Sequence, residues 1–179
     1  MRFRYRANRG TSLVFLVVVM PSWSPDRFHT LPTAPWPEAD ITDNWLCGDL
    51  PEGYDALAPD GSQIRLLGGC DAGSLSHCTL SEGNCTTAVR HRTVHEIWYV
   101  VEGHGEIWRR DVGGREEVTL LAAGTAIDLP VGTTFQFRST GRRPLAVIIL
   151  TLPRWPGSGE AIISNGPWSS TVIAHARLW

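Results

Sequence analysis

A chain of 179 residues, 42% hydrophobic and 19% charged, is long enough for one domain with a substantial core and too short for two full ones. All 16 basic residues are arginine, which excludes chemistry through a lysine Schiff base, a lysine-linked pyridoxal cofactor included. The first acidic residue comes only after Pro25, and the acidic body that follows carries no basic stripe, which argues against nucleic acid as a partner.

Residues 1–20 combine a basic start with an apolar run from Leu13 to Met20. The pattern is like the opening of a secretory signal, but the following "PSWSPD" offers no small-x-small cleavage site. The run is also too short to span a bilayer, so no membrane partner is expected. We read it as a disordered extension and expect a cytoplasmic protein; secretion is the alternative if the run serves as a signal peptide. Residues 21–60 are rich in Pro and Trp and show no periodicity, which reads as an irregular arm laid along the domain or a neighbouring subunit. The four cysteines (Cys47, Cys70, Cys78, Cys85) form no CxxC pair, which argues against a zinc knuckle.

From residue 61 to 179 the chain reads as short strands divided by turn signals such as "SEGN", "VEGHG", "DVGGRE" and "PVGT". Strands are expected at Gln63–Leu67, Ser74–Leu80, His95–Val101, Glu106–Arg110, Glu117–Leu121, Thr125–Leu129, Thr134–Arg138, Leu145–Leu152 and Thr171–Ala176. Eight or nine short strands with no helix of ten residues predict an all-β antiparallel sandwich or barrel.

Two spacings go beyond this pattern. Gly83 is followed, after five residues, by Val89-Arg90-His91; four more lead to Glu96, and six more to Gly103. Gly124 is followed, after five residues, by Pro130-Val131-Gly132; two more lead to Phe135, and three more to Ser139. These resemble the two cupin motifs, G-x5-H-x-H-x3–4-E-x6-G and G-x5-P-x-G-x2-H-x3-N. The resemblance covers roughly Gly61 to Thr151 and implies a cupin double-stranded β-helix, a jelly-roll-like barrel, with an irregular N-terminal arm. It also implies a homodimer.

The departures bear on cofactors. Metal-binding cupins draw their ligands from two His and the Glu of the first motif and the His of the second. Here those positions are Val89, His91, Glu96 and Phe135, so only two ligands remain, and a third protein ligand is usually needed. The expectation is no cofactor. The alternative is a divalent ion (Fe, Mn, Ni or Zn) on a rearranged His77, His91 and Glu96 set, because His77 lies in the strand before the first motif. His95 should face away from Glu96, since neighbours on a strand alternate. His104 reads as a solvated turn residue.

Alternation from Glu96 and Phe135 places Trp98, Val100, Phe137 and Ser139 inside the barrel. The predicted pocket therefore holds the catalytic pair His91 and Glu96 among Val89, Trp98, Phe135, Phe137 and Ser139, with Arg65 at the mouth for an anionic group. An aromatic cup with a few convergent polar groups suits a small-molecule partner. The reading is an isomerase, cyclase or dehydratase type of enzyme using His91 and Glu96 for proton transfer. A metal-dependent cupin and a ligand-binding cupin without catalysis are the alternatives.

Overall fold

The computed structural model describes residues 7, 9–19, 24–27, 48–157 and 159–173. The chain divides into two compact units, Met1–Ala34 and Pro35–Trp179. In the first, residues 11–19 carry no regular secondary structure and Pro25–Arg27 form one 3-10 turn. No helix among the described residues is long and apolar enough to cross a membrane. Of the Pro/Trp-rich arm, residues 28–47 lie outside the described residues.

The described residues of the second unit form eleven strands: β1 (Ala56–Leu57), β2 (Gln63–Cys70), β3 (Gly73–Leu80), β4 (Val89–His91), β5 (His95–Glu102), β6 (His104–Arg110), β7 (Glu116–Ala122), β8 (Ala126–Leu129), β9 (Thr134–Ser139), β10 (Leu145–Leu152) and β11 (Ala161–Ile163). They form two sheets, ordered β1-β2-β3-β10-β5-β8 and β11-β4-β9-β6-β7, with every pairing antiparallel. The eight expected strands from Gln63 to Leu152 are all present, within three residues at either end. The short β1, β4 and β11 are additions, because two or three residues carry no readable alternation. No strand forms over residues 171–173, where the ninth was expected to begin; residues 174–176 lie outside the described residues.

Alternation sets which side chains meet between the sheets. Along β5, Glu96, Trp98 and Val100 are buried while Ile97 and Val101 are exposed. Trp98, Phe137, Leu80, Ile107, Leu121 and Leu145 are fully enclosed, and Trp98 meets Phe137 edge-on at 5.0 Å between ring centroids. Each such side chain contributes about 2 kcal/mol through burial, and the edge-on pair about 1 kcal/mol more. Along β9 the alternation fails, because Gln136 is as buried as Phe135 and Phe137. Its amide is taken up from outside the sheet: Nε2 donates to the Thr86 and Trp168 carbonyls at 2.7 and 2.8 Å, and Oε1 accepts from Trp168 N–H at 3.0 Å. Residues 164–173 thus strap the outer face of the second sheet.

The motif glycines answer to the backbone. Gly83, Gly103, Gly124 and Gly132 all have positive φ, between 71° and 93°. At Gly103 a Cβ would also sit 2.3 Å from the Pro144 carbonyl oxygen, so the β5–β6 reversal admits no side chain there.

Candidate functional site

The six-stranded sheet lays its inward residues in rows. The outermost row runs Gly69, Ser74, Thr151, Glu96 across β2, β3, β10 and β5. The next is Leu66, Ser76, Ile149, Trp98, and the deepest is Ile64, Cys78, Val147, Val100. Polarity therefore falls with depth. Opposite stand Val89 and His91 on β4, Phe135 on β9 and Ala161 on β11. Between them lies a cavity of about 280 Å³, completed by the β1–β2 connection with Asp60 and Ser62, and by Arg154 and Trp155 after β10.

Glu96 is held on both oxygens. Trp98 Nε1 donates to Oε2 at 2.9 Å, and Thr151 Oγ1 donates to Oε1 at 3.2 Å. His91 Nδ1 lies 3.8 Å from Oε2, within ion-pair reach but beyond a hydrogen bond. The His91 ring is fixed edge-on between Phe135 and Trp155, at 5.2 and 5.1 Å between centroids.

Asp60 is a second buried carboxyl in the cavity wall. Its Oδ1 accepts from Ser62 N–H at 2.8 Å and from Ser62 Oγ at 2.7 Å. Burial pushes its pKa up, and the Ser62 hydrogen bonds and the His91 imidazole only partly offset this, while Glu96 adds to the rise. Asp60 lies in "APDGS", the turn between β1 and β2. Only the fold brings that turn over the cavity, although a Ser two residues after an Asp is a local signal for such a cap. Cys78, also in the wall, is held as a thiol by burial.

Of the residues singled out from the sequence, the structure gathers His91, Glu96, Trp98, Phe135 and Val89 around one cavity. Four others fall elsewhere. Phe137 lies behind Trp98 as core packing. Ser139 sits at the opposite end of β9, level with Gly105, where its hydroxyl reaches the Arg143 carbonyl. Arg65 lies on the other face of β2, donating to the Pro51 and Glu52 carbonyls and to Thr79. His77 alternates with Ser76 and Cys78 and so also points away from the cavity, where burial beside Arg65 lowers its pKa. The rearranged His77, His91, Glu96 triad is therefore not assembled. His95 faces outward and pairs with Asp128. Trp108 lies beside Gln136 on the outer side of the second sheet.

No family model and no curated protein matches the sequence. Solved structures do. The cupin domain of Drosophila melanogaster CENP-C superposes with a TM-score of 0.54 at 16% identity, covering 64% of this chain and 84% of that one. The fold is that of the cupins. The capsular polysaccharide assembling protein CapF from Staphylococcus aureus gives a TM-score of 0.51 at 21% identity over 58% of this chain, and the coconut allergen cocosin 0.50 at 14% over 59%. This chain spans only 32% of the CapF chain and 30% of cocosin. At such identities the likeness is one of fold.

Whether this cupin barrel suits the metal that many such barrels hold is a question of donors. Both Glu96 oxygens are engaged by Trp98 and Thr151, and the Phe135 ring stands against His91 where the pattern has a ligand. Among the described residues no group of three His, Cys, Asp or Glu side chains is arranged to hold an ion. The donor set does not fit a divalent metal.

Proposed function

We propose that this chain is a small-molecule enzyme that moves protons without a metal ion, of the isomerase, cyclase or dehydratase type. The observation that carries the reading is the convergence of Glu96, His91 and Asp60 on one largely apolar cavity. Two carboxyls in unlike surroundings are what such chemistry uses. Glu96, supplied with two donors, takes a proton from a substrate carbon next to a carbonyl. Asp60, which burial keeps protonated to higher pH than an ordinary aspartate, returns one at the other end of the enol system. His91 faces Glu96 across 3.8 Å, its ring held by Phe135 and Trp155. Trp98, Phe135, Val89 and Ile149 exclude water and hold the substrate body.

The test is solvent deuterium uptake. Carbonyl compounds that raise the melting temperature of the full chain are incubated with it in D2O and followed by NMR. Exchange at the carbon next to the carbonyl, lost in Glu96→Gln while binding persists, is the expected result. Compounds that bind without exchange or turnover would leave a ligand-binding barrel in place of an enzyme.

A further inference from the structure

We propose that the ligand of this cavity carries an anionic group, and that Arg154 receives it at the mouth. The inference rests on the cavity being the ligand site, as above, and adds the substrate class: an apolar body of roughly aromatic size bearing one carboxylate or like anion.

The argument starts from charge placement. Among the described residues Arg154 is the one cation lining the cavity. Most other arginines of the barrel have partners: Arg65 is spent on carbonyls, Arg109 and Arg115 on Glu117, Arg110 on Glu116, Arg138 on Glu106, Arg143 on Glu102. Arg154 has neither an ion pair nor a hydrogen bond with another described residue.

Its height is set by register. Thr151 belongs to the outermost row, with Glu96 and Ser74, and Arg154 follows three residues later. The next residue is pinned to that rim, since Trp155 N–H donates to Ser74 Oγ at 3.3 Å. Trp155 also packs on His91, so the segment is fixed with respect to the polar cluster. Below the rim every charged side chain is an acid, Asp60 or Glu96, and the rest of the wall is largely apolar. An anion is repelled from the depth and drawn to the mouth, while an apolar body is favoured inside. A guanidinium at the rim can take a carboxylate with two parallel hydrogen bonds. The ligand so described enters body first and leaves its anion on Arg154.

The probes are 2-naphthoate and its neutral isostere 2-naphthamide, titrated into the full chain and followed by quenching of Trp fluorescence and by calorimetry. The wild type should bind naphthoate at least tenfold more tightly than naphthamide. Arg154→Gln, an exposed substitution with no structural bond to lose, should bring the two within about threefold by weakening naphthoate alone. Equal affinities in the wild type, a preference kept in Arg154→Gln, or no binding of either probe would each overturn the proposal. The outcome is separable from the proton-transfer reading. A preference that depends on Arg154 and survives Glu96→Gln stands even where no bound compound exchanges deuterium, whereas equal affinities beside Glu96-dependent exchange sink the anion site and spare the chemistry.

Discussion

Trp98 reaches back along its own strand and gives its indole N–H to Glu96 Oε2 at 2.9 Å. The two side chains share a face because they are two residues apart, so one strand supplies both the carboxylate and the donor that orients it. The same ring is the largest fully enclosed side chain of the core. Site and core are therefore coupled through a single residue.

That coupling predicts a contrast between two substitutions. In Glu96→Gln the carboxamide oxygen can take the Trp98 N–H and its NH2 can donate to Thr151 Oγ1, so stability should change by less than about 1 kcal/mol. In Glu96→Leu the indole N–H is buried without an acceptor, at a cost of about 1–3 kcal/mol. Urea unfolding midpoints at pH 7 compare them, and equal losses would refute the pairing.

Asp60 and Glu160 should shape the pH dependence of stability in opposite directions. Burial raises the Glu160 pKa, but the hydrogen bonds from Thr93 and Val94 outweigh it, so the net shift is downward from 4.5. Its contribution is complete above pH 4.5 and is lost as pH falls through the lower folded value. Asp60 is raised from 3.8, so the folded state binds its proton more tightly and stability falls as pH rises through the folded value. Glu160→Gln should flatten the acid limb of a stability–pH curve. Asp60→Asn should stabilise the chain at high pH and do so less in acid.

Val89→His with Phe135→His would restore two imidazoles opposite Glu96. With zinc or manganese at about a hundred times its dissociation constant the double variant should gain about 2.7 kcal/mol of stability, and the wild type none. A comparable gain in the wild type, read by thermal unfolding, would contradict the donor argument.

Gln136→Leu should cost about 1–3 kcal/mol, because the Trp168 N–H loses its acceptor and the Thr86 and Trp168 carbonyls lose a donor. Amide exchange at Trp168 and Thr171 should quicken before that of the barrel strands.

The barrel was legible because its determinants are local. Alternation marks the long strands, and the four positive-φ glycines stand where the backbone demands them, whatever the cavity holds. Val89, His91, Glu96, Trp98 and Phe135 were legible by the same route, since their strands are regular. What failed needed distance or height. Arg65 was placed by proximity to the barrel without its face, His77 by strand without its parity, and Ser139 and Phe137 by parity without their depth. Asp60 and Arg154 lie outside the strands, where no period applies, and only the pairing of β2, β3 and β10 brings them to the cavity.

The strap over the second sheet bears on more than that sheet. Ser164 N–H holds the Ala88 carbonyl, Thr171 holds Cys85 from both sides, and Thr87 N–H holds the carbonyl of Asp60. The segment 85–88 that leads into β4 is thus fastened late in the chain, while Glu96 belongs to an inner strand that needs none of it. Clipping the chain after Ile163 would leave the carboxylate anchored and β4 still paired with β9 and β11, and would loosen only the approach to the imidazole.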